Sequence, residues 1–94
     1  MDFIWETPTE VAYNLAKRLR RVRKRKKITQ KDLASKSNVS YASLRKFEET
    51  GQISLISLIK LCMELGVLNE INELFTQPVY TSIEEVIRDA EKNS

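Results

Sequence analysis

The fold is constrained most by one stretch in the middle of the chain, QKDLASKSNVSYASLRKFEETG. It predicts two short helices, over Gln30–Lys36 and Tyr41–Glu49, with a tight turn between them. Asn38 lies in that turn and belongs to the few residue types besides glycine that tolerate a left-handed backbone. Ser40 offers an N-cap oxygen to the second helix, and Gly51 is placed to end it. The stretch therefore favours an all-α fold.

The second predicted helix has one apolar face and one polar face. Leu44, Phe47 and Glu48 fall at positions i, i+3 and i+4, so they share a face that is expected to be buried. The opposite face carries cationic, hydroxyl and small groups, as a helix that enters the major groove of DNA requires. The candidate base-reading residues are Ser40, Tyr41, Ala42, Ser43, Arg45 and Lys46.

Positive charge is concentrated in the half of the chain that contains this motif. The whole chain has a formal net charge of +3. Residues 1–52 contain 13 Lys and Arg against six Asp and Glu, a net +7, whereas residues 53–94 carry a net −4. Nine of the eleven residues from Lys17 to Lys27 are basic. A basic run is often only a solvated helix face, but beside a DNA-reading helix it favours phosphate contacts.

The rest of the chain predicts four further helices. Thr7 is an N-cap with Pro8 at the first helical position, and this helix is expected to run to about Lys26. Hydrophobic periodicity predicts the other three over Leu55–Leu65, Leu68–Phe75 and Ile83–Lys92.

The predicted Leu55–Leu65 helix is apolar over a wide arc. One stripe is expected to face the core, and Ile56, Ile59 and Met63 form a second stripe about 100° further round the helix. An arc this wide indicates burial on two sides, against the core and against another segment or a second subunit. Met63 and Phe75 are both interpreted as core residues rather than as ligand-pocket residues.

The chain is divided into an N-terminal apolar arm, 1–6, a helical domain, 7–76, and a C-terminal extension with one short helix, 77–94. Phe3, Ile4 and Trp5 of the arm are expected either to pack on the domain or to contact a partner. The pattern also predicts an extended segment over 79–81 and a capping box at the start of the last helix.

The residues Gln30, Leu33-Ala34, Val39-Ser40, Leu44, Phe47-Glu48 and Gly51 resemble the helix-turn-helix of phage repressor and Cro-like (XRE-type) regulators. The likeness spans roughly residues 15 to 68. One departure is Asn38, where many members of the family have glycine. The resemblance implies a five-helix repressor/Cro-like domain, here followed by a short extra C-terminal helix.

The resemblance also implies roles for residues outside the second helix of the motif. Arg23 and Glu48 match a partly buried, structural ion pair of the family. Gln30 matches a residue that contacts the DNA backbone beside the first base pairs. The candidate phosphate-binding residues are Gln30, Lys31, Arg23, Lys26 and Lys27.

These features predict a sequence-specific regulator of double-stranded DNA, and the repressor likeness favours a homodimer on a palindromic operator. The segment from Gly51 onward also resembles the small DNA-binding antitoxins encoded beside HipA-type kinase toxins. That likeness implies a protein that represses its own operon and binds the toxin. A cytoplasmic protein of bacterial or phage origin is expected.

No catalytic set or cofactor motif is apparent in the sequence. The chain has no histidine and a single cysteine, Cys62, so it offers neither a zinc site nor a Cys–His nucleophile. Its two glycines, Gly51 and Gly66, are placed to end helices rather than to form a phosphate loop. We therefore expect no enzyme, metal or cofactor. No apolar run of about 18 residues exists, so no membrane span is expected.

Three alternatives remain open from the sequence. The first is a protein-interaction module that keeps this fold but does not read DNA. The basic face argues against it, because Asp32 is the only acidic residue between Lys17 and Phe47. RNA binding is less favoured because no aromatic stacking platform is evident. A membrane-surface role for the first helix is less favoured because its apolar face is small.

Overall fold

The computed structural model describes residues 6–78 and 83–92 and shows an all-helical protein. This confirms the predicted fold class, and the described ranges contain no strand. The element order is α1 (Pro8–Arg25), α2 (Gln30–Ser37), α3 (Tyr41–Thr50), α4 (Leu55–Glu64), α5 (Leu68–Asn72) and α6 (Ile83–Lys92).

The first four helices each begin at a Ser or Thr whose hydroxyl accepts a hydrogen bond from a backbone amide three residues later. At α1 the cap is a full capping box: Thr7 Oγ1 accepts from the amide of Glu10, and Glu10 Oε1 accepts from the amide of Thr7. Thr29, Ser40 and Ser54 cap the next three helices at distances of 3.1, 3.0 and 3.1 Å. These local bonds explain why the helix starts are readable from sequence.

The turn between α2 and α3 has the left-handed residue that the sequence predicts. Asn38 adopts φ 61° and ψ 38°, and its amide donates to the last turn of α2. Val39 is buried just after it, and its amide donates to the carbonyl of Ala34 over 3.1 Å. The turn is therefore anchored in the core, which fixes the angle at which α3 leaves α2.

The core is formed where α3 packs against α1 and α2. Helix α2 also packs against α4, and α4 packs against α5. Phe47 and Leu44 place the inner face of α3 at the centre of this cluster, each with 1% of its surface exposed. The cluster of buried hydrophobic residues consists of Ala16, Leu33, Ala34, Val39, Leu44, Phe47, Leu61 and Leu65.

Gly51 ends α3 at the point where the chain passes closest to α1. Its φ is +86°, in the left-handed region. A Cβ atom there would lie 2.5 Å from the carbonyl carbon of Ala12 and 2.6 Å from the amide nitrogen of Tyr13. Both are backbone atoms, so no side-chain rotation relieves the contact. Glycine is therefore required at this position for two separate reasons.

The prediction that Met63 and Phe75 belong to the core is wrong. Met63 is 59% exposed, because it lies on the outer stripe of α4, where Ile56 is also exposed. Phe75 is 96% exposed. It was expected inside a helix over Leu68–Phe75, but α5 ends at Asn72 and Phe75 has a left-handed φ of 63°. In the segment 68–75, the apolar residues keep a helical spacing beyond Asn72, where the helix ends.

Several predictions fall outside the described residues. These are the arrangement of Phe3, Ile4 and Trp5, the extended segment over 79–81 and the capping box before α6. The bounds of α6 match the predicted Ile83–Lys92. The division at 6/7 and 76/77 stays a prediction. In the described part of the chain, no helix is both long and apolar enough to cross a membrane.

Candidate DNA-binding surface

The polar face of α3 is exposed along its whole length. Leu44, Phe47 and Glu48 are buried on the opposite side of the same helix. The structure therefore places all the predicted base-reading residues on one open surface. They are Ser40, Tyr41, Ala42, Ser43, Arg45 and Lys46.

The two serines at the start of α3 are joined through the helix cap. Ser40 Oγ accepts from the amide of Ser43 over 3.0 Å and donates to Ser43 Oγ over 2.8 Å. The two hydroxyls share one hydrogen bond, so the pair retains one hydroxyl hydrogen that can donate to a base or a phosphate.

A small cluster of cations surrounds the ring of Tyr41. Lys31 Nζ, from α2, lies 5.8 Å from the ring centroid. Arg45 Cζ, one turn along α3, lies 5.7 Å from it. Arg45 Nη2 is also 3.7 Å from Glu49 Oε2, on the following turn. The Tyr41 ring is thus close to both Lys31, a predicted phosphate-binding residue on α2, and Arg45, a predicted base-reading residue on α3.

Arg23 and Glu48 form a bidentate ion pair beneath this surface. Arg23 Nε donates to Glu48 Oε2 over 2.8 Å, and Arg23 Nη2 donates to Glu48 Oε1 over 3.0 Å. The two side chains are 9% and 5% exposed. Arg23 Nη1 also donates to the carbonyl of Ile28 over 2.8 Å. The pair therefore ties α3 to the end of α1 and to the loop before α2.

Two further side chains approach the same carboxylate from the solvent side. Gln30 Nε2 donates to Glu48 Oε1 over 2.8 Å. Arg20 Nε lies 3.8 Å from that oxygen, and its side chain is 49% exposed. Arg20 is not among the site residues predicted from the sequence, although it precedes Arg23 by three residues and so shares its side of α1. The link between Gln30 and Glu48 has no signal in the sequence alone.

The predicted phosphate ligands differ in accessibility. Lys26, Lys27 and Lys31 are exposed, and Gln30 is half-buried at the first position of α2. Arg23 as a whole residue is 7% exposed, and its guanidinium is directed at Glu48 and the Ile28 carbonyl. A phosphate contact from Arg23 stays a prediction, and its described contacts are all within the protein.

A polar groove also borders α3. It lies between the end of α3 and the start of α4, and sequence reasoning did not include its residues beyond α3. Lys46 and Ser43 line it from α3, and Gln52, Ser54 and Ser57 line it from the following loop and α4. The hydroxyls alone gave no sequence signal, because Ser54 is equally explained as a helix cap.

Cys62 lies outside this surface, in the core between α4 and its neighbours. Burial raises the pKa of its thiol, and nearby Glu70 raises that pKa further. Both effects disfavour the reactive thiolate. The structure thus gives Cys62 the character of a small buried hydrophobe.

A comparison with known families identifies the kind of domain that carries this surface. A family model described as helix-turn-helix matches residues 19–68, which is more than half of the chain. The chain belongs to the XRE-type helix-turn-helix family. It is accordingly a DNA-binding transcriptional regulator, and the matched span runs from the basic end of α1 into α5. No protein in a search of curated proteins matched the chain.

Proposed function

We propose that this protein is a homodimeric repressor that reads a palindromic DNA duplex through α3 of each subunit. The observation that carries the proposal is the two-sided character of α3. Its inner face is locked in the core by Leu44, Phe47 and Glu48, and its outer face exposes every predicted base-reading residue. We place this activity in residues 7–76.

Binding of the two subunits follows from the geometry of B-DNA. The two α3 helices enter successive major grooves about 34 Å apart. Lys26, Lys27 and Lys31 contact phosphates beside the groove, and Gln30 adds a contact from the first turn of α2. The bound dimer then represses by occupying the site that polymerase needs.

The outer stripe of α4 supports a second subunit. Ile56 and Met63 of this stripe are 64% and 59% exposed, and Leu55, next to Ile56 in sequence, is 67% exposed. Large apolar side chains grouped on one helix face are typical of a contact surface, and a small domain gains stability by covering them. A second copy of α4 supplies a matching apolar face.

Selection from random duplexes tests the repressor proposal and needs no operator sequence as input. Purified protein is incubated with a pool of randomised duplexes, and the bound fraction is sequenced. We expect enrichment of an inverted repeat with half-sites one helical turn apart. Enrichment of a single half-site contradicts the homodimer, and absence of any enriched sequence favours the protein-interaction alternative.

The finer proposal is that the protein is the antitoxin of a HipA-type kinase. It is supported by the net negative charge of residues 53–94 and by an apolar groove outside the DNA surface. Val11 and Leu15 of α1 line that groove together with Leu74 and Phe75, and all four are exposed.

Copurification with the product of an adjacent kinase-like gene tests the antitoxin proposal. We expect Phe75→Ser to release the kinase while leaving DNA binding intact, because Phe75 is 96% exposed and lies outside α3. Thr76→Ala is the matched control and should retain the kinase. If the kinase still copurifies with the Phe75→Ser variant, this groove is not the toxin-binding surface.

A further inference from the structure

Arg45 and Lys46 are neighbours in sequence, but their surroundings on α3 differ. Arg45 lies between Tyr41 and Glu49, which precede and follow it by four residues and therefore share its face of the helix. Its guanidinium carbon is 5.7 Å from the ring centroid of Tyr41, and its Nη2 is 3.7 Å from Glu49 Oε2. Among the residues that the structure describes, the Lys46 ammonium has no ring or carboxylate partner.

We propose that Arg45 is the guanine-reading residue of α3 and that Tyr41 and Glu49 position it. Lys46 then binds a phosphate, so this proposal revises the base-reading roles predicted for Tyr41 and Lys46. The proposal rests on the proposed function, because it assigns separate tasks within the same DNA-binding surface.

The chemistry of the two cations supports this division. A guanidinium presents a planar fork of donors that matches O6 and N7 of guanine, whereas an ammonium acts as a point charge suited to phosphate. A long arginine side chain loses rotamer entropy when it binds. Contacts to Tyr41 and Glu49 remove part of that freedom before DNA arrives, so less is lost on binding.

The location of Lys46 fits a phosphate contact. It lines the polar groove with the hydroxyl-bearing residues Ser43, Ser54 and Ser57 and with Gln52. Hydroxyl and amide donors together with a lysine are the groups that commonly contact the DNA backbone.

Glu49 provides the discriminating signature. A carboxylate on a surface that faces DNA repels phosphate, so removal of its charge should raise affinity for every duplex. If Glu49 also holds Arg45 in its reading position, the same change should lower discrimination between guanine and other bases. The Glu49 variant should then combine higher affinity with lower discrimination. A purely electrostatic role for Glu49 predicts the higher affinity alone.

The test uses the full chain and the duplex obtained by selection, together with duplexes in which each guanine of a half-site is replaced in turn. For wild-type protein, one guanine position should depend on Arg45, and Arg45→Ala should reduce discrimination there by about 10- to 100-fold. Lys46→Ala should weaken all duplexes alike and reduce the salt slope by about one.

The positioning variants are measured on the same duplexes. Glu49→Gln should reduce discrimination at that guanine about two- to fivefold while tightening binding to a scrambled duplex. Tyr41→Leu should reduce discrimination to a similar extent, whereas Tyr41→Phe keeps the ring and should retain discrimination at that guanine. Glu64→Gln is the charge-matched control on α4, and it should leave discrimination unchanged.

A double-mutant cycle separates positioning from independent base contacts. In the Arg45→Ala background, Glu49→Gln should cause no further loss of discrimination. An additive loss would mean that Glu49 reads a base itself, for example a cytosine amino group, and it would overturn the positioning role. Unchanged discrimination in Glu49→Gln would also overturn it. Failure of wild-type protein to prefer any duplex would instead refute the proposed function.

Discussion

Glu48 is a buried carboxylate whose charge is balanced by neighbours from two other elements. Arg23 contributes two hydrogen bonds and Gln30 a third, and Arg20 lies 3.8 Å from the same carboxylate. In the described residues, no buried side-chain nitrogen or oxygen lacks a hydrogen-bond partner. Removal of one partner therefore leaves a buried charge uncompensated, which lowers the free energy of unfolding by a large amount.

Arg23→Met should lower the free energy of unfolding by about 3–5 kcal/mol, because it leaves the Glu48 charge without its main partner. Urea denaturation followed by circular dichroism measures this change. The double variant Arg23→Met/Glu48→Leu should recover most of the loss, since no charge is then left buried. A single variant as stable as the wild type would show that Gln30 and Arg20 suffice to balance Glu48.

Gly51 and Gly66 form a matched pair for testing a close backbone approach. Both have positive φ, of 86° and 77°, but a Cβ on Gly66 would meet only Lys26 Nζ, at 3.9 Å. Gly66→Ala should therefore cost only about 1–2 kcal/mol for the left-handed backbone. Gly51→Ala adds overpacking against α1, worth about a further 1–3 kcal/mol. Equal losses in urea denaturation would contradict the clash with Ala12.

At the scale of elements, α4 exposes large apolar side chains on its outer face, among them Ile56 and Met63. Ile56→Glu places a charge in the proposed subunit contact, and it should shift the protein from dimer to monomer. Analytical ultracentrifugation measures the shift. Ile87→Glu on α6 is the control, because Ile87 is an exposed isoleucine too, at 52% against 64% for Ile56. If the Ile56→Glu variant remains a dimer and the Ile87→Glu variant becomes a monomer, the subunit interface lies on α6 rather than on α4.

The sequence predicted elements well where local chemistry determines them. Helix starts were readable because a hydroxyl at the cap bonds an amide three residues away, and Asn38 was readable because few residues accept its backbone conformation. The end of α5 was not readable, because the apolar spacing continues to Phe75 after the helix stops at Asn72. Periodicity identifies a face but does not identify its neighbour, so it misplaced Met63 in the core.

The same distinction applies to the DNA-binding surface. The exposure of its base-reading face followed from the spacing of Leu44 and Phe47 on the opposite side of α3. The hydrogen bond of Gln30 to Glu48 joins residues 18 positions apart on two helices. It depends on how α2 crosses α3, and no local pattern specifies that crossing. The groove beside α4 was missed for the same reason.

At the scale of the whole molecule, the charge and the fold divide the chain in the same way. The net +7 of residues 1–52 coincides with α1, α2, α3 and the loops between them, which hold the dense run of basic residues and the outward face of α3. The net −4 of residues 53–94 coincides with α4 to α6, and this part of the chain holds six of the ten exposed large apolar side chains among the described residues. We propose that the first part binds DNA and that the second supplies most of the protein contacts.

The central claim, that α3 reads sequence, is tested most directly by fluorescence anisotropy on the DNA upstream of the protein's own gene. A scrambled duplex of equal length is the control, and both are measured at two salt concentrations. We expect tighter binding to the upstream duplex that persists at the higher salt and is lost in Arg45→Ala. Equal binding to both duplexes that fades steeply with salt would contradict sequence reading at this site and leave only attraction to phosphate.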